Sequence, residues 1–189
     1  MTNMNTPNLN LGSCTLRLPE IEDAANIVAY QVRNRAHFKS FEPVRPDFYF
    51  TESFWKVEAT NVNRGFHAGQ YMRFFLFDES ERTVGSTSFL LFTYGNAQSC
   101  VLAYNLDYEC WGRGIMYSAL QIAIQFVFDT FKIRRIQANY IPENGRSGRL
   151  LERLGFEKEG LAKEYLEIDG QWRDHVLTSK LNPLRSLPS

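Results

Sequence analysis

Polar and apolar positions alternate from Cys14 to Leu18 and stop at Pro19, as in a short strand. The period then changes. Ile21, Ala24, Ala25, Val28 and Val32 form a helical stripe over Ile21 to Ala36. A second helix is predicted from Thr51 to Ala68, with Thr51 as N-cap and Phe54, Val57 and Val62 on one side. Arg73 to Phe77, Thr83 to Thr93 and Ser99 to Leu106 are rich in aromatic and β-branched residues. The polar stretches Asp78 to Glu81 and Tyr94 to Asn96 separate them, which predicts an antiparallel meander of three strands. A long helix is expected from Gly114 to Phe131. Ala119, Ile122, Ala123, Phe126 and Val127 mark one side of it, and Leu120, Ile124, Phe128 and Phe131 mark another, so it should be largely buried.

Arg135 to Ile141 reads as a strand stopped by Pro142. Asn144 caps a short helix with Leu150, Leu151 and Leu154 inward and Gly155 just past its end. Glu157 to Ile168 and Gln171 to Leu181 form a hairpin about Asp169-Gly170, a type I′ turn signal. The order β-α-α-β-β-β-α-β-α-β-β predicts a mixed α/β domain, its sheet covered by helices. Residues 1–12 are expected to be a flexible polar tail, 13–181 a single domain and 182–189 a trailing coil.

Composition narrows the class. With 189 residues and 44% apolar positions, the chain can bury one ordinary core. Lys plus Arg and Asp plus Glu are each 21, so the formal charge is zero and a strongly basic nucleic-acid clamp is excluded. No run reaches the ~18 apolar residues of a membrane span, and the N-terminus lacks the basic start of a signal peptide. Cys14, Cys100 and Cys110 form no CxxC pair, which argues against a disulfide framework or zinc site and for a reducing, cytoplasmic home.

The chemistry concentrates where a strand runs through Trp111-Gly112-Arg113-Gly114-Ile115-Met116 into the long helix. The first N–H groups of a helix lack partners and, with the helix dipole, suit a phosphate or diphosphate. Gly112 and Gly114 let the backbone approach closely, and Arg113 adds positive charge. No Walker loop exists, and Tyr117 stands where a dinucleotide fingerprint needs its third glycine. Alone, this G-x-G segment is equally consistent with a structural turn.

Residues 111–116 resemble the [QR]-x-x-G-x-[GA] acyl-CoA loop of GNAT-family N-acetyltransferases, although Trp111 and Met116 replace the [QR] and [GA] residues. Asn144-x-x-Ser147-x-x-Leu150 through Gly155-Phe156 resembles the family's second signature. The run from Arg146 to Leu177 is similar to the RimJ branch, the ribosomal-protein alanine N-acetyltransferases, and the resemblance spans about residues 13 to 181.

That resemblance implies a GNAT fold: a mostly antiparallel seven-stranded sheet, helices on both faces, and a V-shaped splay between two central strands. Acetyl-CoA would lie in the splay as cosubstrate. Tyr104, Asn105 and Leu106 would meet its pantetheine arm, residues 111–116 its diphosphate, and Asn144 and Ser147 would be its neighbours. One N–H near Leu106 would polarise the thioester carbonyl. RimI-branch relatives use a Glu and a Tyr where this chain has Asn139 and Leu151. Asn139 is left to position water, and Ser147 to orient or protonate the CoA sulfur. Glu42, Asp107 and Glu164 are the candidate bases.

Simpler roles stand beside these. Ser147 could satisfy a backbone group in its first helical turn. Tyr104 could pack as an ordinary strand aromatic. His37, His67 and His175 share no ligand spacing and read as solvated or hydrogen-bonded bystanders, and Cys110 as exposed without a base to make it a nucleophile. Trp172 and Arg173 either line an acceptor groove or are ordinary strand residues. The implied reaction is acetylation of the N-terminal alanine of a small-subunit ribosomal protein. It would involve contact with the ribosome or an assembly intermediate, no direct nucleic-acid readout, no metal and no membrane. Alternatives are a GNAT acting on a small amine or antibiotic, and a non-catalytic CoA-binding or ribosome-assembly module.

Overall fold

The computed structural model describes residues 6–183. Strands β1 (Asn8–Asn10), β2 (Cys14–Arg17), β3 (Met72–Asp78), β4 (Thr83–Thr93), β5 (Ser99–Leu106), β6 (Arg135–Gln137), β7 (Glu157–Ile168) and β8 (Gln171–Leu181) form one sheet. Their order is β1-β2-β3-β4-β5-β6-β8-β7. Every neighbouring pair is antiparallel except β5–β6. Helices α1 (Ala24–Phe38), α2 (Glu52–His67), α3 (Ile115–Phe131) and α4 (Gly145–Arg153) complete the domain.

The sheet has eight strands, not the expected seven. The extra strand, β1, lies in the segment read as a loose tail: Leu9 pairs with Leu16 and packs against the core. Residues 1–5 and 184–189 of the expected tail and coil lie outside the described residues.

Local signals placed most elements. Thr51 Oγ1 accepts from the Phe54 amide at 3.4 Å and caps α2. Asn144 Oδ1 accepts from the Ser147 amide at 3.1 Å and caps α4. Asp169 and Gly170 have φ of 49° and 74°, the left-handed pair that a type I′ hairpin turn requires. The apolar run Phe74-Phe75-Leu76-Phe77 in β3 is buried on both faces. Phe74 and Leu76 join the large core with α3, whereas Phe75 and Phe77 join Trp55, Tyr49 and Ile27 in a second core.

Two helices bury other faces than periodicity suggested. In α1, Ile27, Tyr30, Gln31 and Asn34 are buried while Val32 is exposed, as is Ile21 just before the helix. Tyr30 and Asn34 carry polar atoms, but both are hydrogen-bonded, which removes the penalty that would keep them outside. In α2, Trp55, Ala59, Val62 and Phe66 face inward and Val57 is exposed. Strand β6 also ends at Gln137, short of the predicted Ile141, for a reason that shapes the site.

Candidate active site

Parallel pairing of β5 with β6 is confined to Ser99, Cys100 and Val101 against Arg135, Ile136 and Gln137. Beyond Gln137 the chain turns towards β8: the Ala138 amide donates to Thr178 at 3.0 Å, and the Tyr140 amide to Val176 at 3.2 Å. Strand β5 continues to Leu106, bonded to β4 on one edge with no strand on the other. The gap opens into a cleft of about 870 Å³. An extended ligand bearing amides can complete a strand edge of this kind.

At the end of the gap the chain enters α3. Gly112 and Gly114 both have φ of 76°, which strains any residue with a Cβ. A Cβ at either would meet no atom within 4 Å, so the backbone here borders open space. The Ser118 amide makes the first helical bond, to the Gly114 carbonyl at 3.1 Å, so the amides of the first turn before it have no helical carbonyl to bond. Five arginines line the cleft against two glutamates, and Arg146, Arg149 and Arg153 sit on α4 beside this turn. The end of the cleft at α3 therefore suits the phosphates of an anionic coenzyme.

Successive strand residues face opposite ways, and β5 uses this. Tyr104 points to the α4 side, where its hydroxyl lies 2.6 Å from Ser147 Oγ. Burial pushes its phenol up to about 12, against the bond to Ser147, which lowers it. Asn105 points to the α1 side. Its Oδ1 accepts from Tyr30 at 2.8 Å and from Ser86 at 2.7 Å, which turns its Nδ2 to Glu42 Oε1 at 2.6 Å. The other Glu42 oxygen meets Arg45 at 3.2 Å.

Of the three candidate bases, only Glu42 lines the cleft. Asp107 is fully buried and accepts from Arg33 Nε at 2.8 Å and the Glu109 amide at 3.1 Å. Burial alone would raise its carboxyl, but the bonds from Arg33, the Glu109 amide and Asn34 together hold it below the usual range. Asp107 thus pins the turn to α1 instead of facing a substrate. Glu164 is exposed on an irregular stretch of β7, where its own amide donates to Asp174 at 2.9 Å. Neither Asp107 nor Glu164 lines the cleft.

Asn139 lines the cleft, with Oδ1 accepting from the Thr178 amide at 3.3 Å and Nδ2 donating to Tyr165 at 3.2 Å. Of the expected coenzyme neighbours, all but Arg113 line the cleft; Arg113 is exposed, and Arg146 stands nearer the cavity in its stead. Trp172 is 62% exposed and outside the lining, and Arg173 pairs with Glu143 at 2.8 Å. Cys110 is buried, not exposed, and its thiol is pushed up by that burial.

Sequence reasoning missed His37 and Arg146. The Arg146 guanidinium lies 3.5 Å above the Trp111 ring, and His37 meets that ring edge-on at 4.2 Å. Burial, then the nearby Arg146 charge, holds the His37 imidazole below its ordinary value. His37 and Arg146 lie far apart in the chain, and no local pattern joins them.

Comparison with known proteins agrees with this geometry. The acetyltransferase (GNAT) domain model matches residues 14–157. The chain is 42% identical over 182 residues to the [ribosomal protein uS5]-alanine N-acetyltransferase of Escherichia coli, covering 95% of this chain and 94% of that protein. Among solved structures, the ribosomal-protein-S5-alanine acetyltransferase from Vibrio fischeri superposes with a TM-score of 0.91 at 35% identity, over 94% of this chain and 97% of that one. Mycobacterium smegmatis RimJ in complex with CoA-disulfide gives 0.84 at 27% identity, over 93% and 86%. The resemblance to the alanine-acetyltransferase branch is borne out. A domain match over most of the chain and near full-length likeness to curated acetyltransferases together establish that the chain belongs to the GNAT family of acetyltransferases.

Proposed function

We propose that the chain acetylates the α-amino group of an N-terminal alanine, with acetyl-CoA as donor and a small-subunit ribosomal protein as acceptor, which sets the reaction in the cytoplasm. The near full-length likeness to a uS5-alanine acetyltransferase supports the acceptor class. The observation that carries the chemistry is the two-sided cleft. Glu42 stands on one side of β5, and Ser147 with Tyr104 stands on the other.

Acetyl-CoA supplies its acetyl group as an activated thioester. The free edge of β5 from Leu102 to Leu106 binds the pantetheine arm as a neighbouring strand would. Amides of the turn into α3, with Arg146, Arg149 and Arg153, hold the phosphates. A main-chain N–H near Leu106 meets the acetyl oxygen and stabilises the charge that grows there. Glu42, aimed by Asn105, receives the amine and takes its proton. Asn139 holds a water beside them, and Ser147 faces the sulfur.

An α-amino group with a pKa of about 7.7–8.0 is substantially neutral near pH 7.5, whereas a lysine near 10.4 is almost wholly charged. One modest base therefore suffices for N-termini. The arginines about Glu42 disfavour polycations such as polyamines or aminoglycosides.

Mass spectrometry of synthetic peptides incubated with acetyl-CoA tests the reading. Label on the α-amino group of an Ala-initial peptide is expected. Label confined to polyamines or aminoglycosides, or coenzyme binding without turnover, would overturn it.

A further inference from the structure

The Tyr104 hydroxyl has one hydrogen-bond partner among the described residues, Ser147 Oγ at 2.6 Å. Either oxygen could donate, but their chemistry decides. A phenol, with an ordinary pKa near ~10, is a far stronger acid than an alkyl alcohol, and the sp³ alcohol oxygen is the better acceptor. Tyr104 therefore donates and Ser147 accepts.

A serine carries a single hydroxyl hydrogen. With its oxygen held by Tyr104, and no protein acceptor for that hydrogen among the described residues, the Ser147 O–H is left to aim into the cleft both residues line. The rest of Ser147 is fixed as well. Its amide donates to Asn144 Oδ1 at 3.1 Å. Its neighbour Gly148 sits so close to Tyr140 that a Cβ would come within 2.8 Å of the Tyr140 hydroxyl. The start of α4 cannot roll without breaking these contacts.

We propose that Tyr104 is a positioning residue: by donating to Ser147 Oγ it commits the serine's only proton to the coenzyme sulfur. This rests on Ser147 being the sulfur-facing residue of the proposed function. In the transfer, the amine lone pair forms the new N–C bond and the C–S pair passes to sulfur. The amine proton leaves on the opposite side of β5. The thiolate so formed accepts a hydrogen bond from Ser147, which keeps its proton throughout. Tyr104 likewise stays protonated, in keeping with a phenol that burial has pushed up to about 12. Its part is geometric, so phenylalanine, which keeps the ring, should remove it cleanly.

The test reads the thiol of bound coenzyme A, which needs no acceptor amine. Thiolate ultraviolet absorbance, titrated against pH on the complex, is expected to give a lower thiol pKa in the wild type than in free coenzyme A. Tyr104→Phe and Ser147→Ala should each raise the bound value by about one unit, a tenfold change in acidity. In turnover of an Ala-initial peptide, Tyr104→Phe should lower kcat about tenfold with the KM for acetyl-CoA within about twofold of the wild type. The double variant should fall no further than Ser147→Ala alone, as for two groups acting as one.

A Tyr104→Phe protein with wild-type kcat and wild-type bound-thiol pKa, beside an impaired Ser147→Ala, would overturn the positioning role and leave the serine in place. A null result for Ser147→Ala would remove both. If Tyr104→Phe failed to fold, the wild-type complex still decides, because a bound thiol no more acidic than the free one overturns the proposal.

Discussion

Arg146 rests its guanidinium 3.5 Å above the indole of Trp111 and so ties the start of α4 to the turn that leads into α3. Both elements line the cleft, and His37 braces the indole from α1. A stacked cation of this kind contributes about 0.5–1 kcal/mol at exposed sites. Arg146→Ala should therefore weaken coenzyme A binding about two- to fivefold by titration calorimetry. Coenzyme addition should also change the fluorescence of Trp111, a signal that Trp111→Phe abolishes while Trp172→Phe keeps it.

Glu42 is oriented by Asn105, whose amide is itself turned by Tyr30 and Ser86. Glu42→Gln keeps a carbonyl for Asn105 and, on the proposed function, loses the proton acceptor. Loss of a general base costs about 10²–10⁴-fold, so kcat/KM for an Ala-initial peptide should fall within that range. The KM for acetyl-CoA should hold, since Glu42 lies across β5 from Ser147. Glu164→Gln should leave both constants at wild-type values.

Gly114 precedes the first residue of α3 with φ of 76° and open space where a Cβ would project. The strain of Gly114→Ala is thus one of backbone, not of crowding, and forcing an L-residue left-handed costs about 1–2 kcal/mol. Urea unfolding should show a loss of that size. A shift of the chain to relieve it would also tilt the amides of the turn, and coenzyme affinity should drop with it.

Asp107 anchors the same turn from below through Arg33. Losing the carboxylate leaves the Arg33 guanidinium and the Glu109 amide without their acceptor, at about 1–3 kcal/mol, so Asp107→Ala should unfold below the wild-type urea midpoint. The pH dependence has a definite sign. The folded carboxyl titrates below its unfolded value of about 3.9, so its contribution is present above that value. It is lost as pH falls through the folded pKa. Acid unfolding of the wild type should show this loss below about pH 4, and Asp107→Ala should lack it.

What could be read in the chain followed the range of each signal. The Asp169-Gly170 turn, the Asn144 cap and the dense apolar pattern of α3 act over a few residues, and all stand where expected. The glycine turn was legible for the same reason. Choosing among Glu42, Asp107 and Glu164 was not, because a carboxylate's role is set by partners remote in sequence. Arg33 claims Asp107 from α1, whereas Asn105 leaves Glu42 at the cleft. The inward face of α1 was misjudged because Tyr30 and Asn34 find their bonds on β5 and on the turn after it. Strand β1 was hidden by its composition, since Asn8 and Asn10 flank a single buried-side leucine.

The opposed aims of Tyr104 and Asn105 make the site a matter of odd and even. From Leu90 paired with Val101 to Gly85 paired with Leu106, the β4–β5 ladder runs without a break, and its irregularity is kept to the segment between Leu90 and Thr93. A residue gained or lost near the Tyr94–Asn96 turn can be absorbed at that kink. A single residue inserted between Val101 and Tyr104 cannot, because it would exchange the faces towards Ser147 and Glu42 to which Tyr104 and Asn105 point. Length variation among relatives should therefore gather in the hairpin loop and spare this half of the strand.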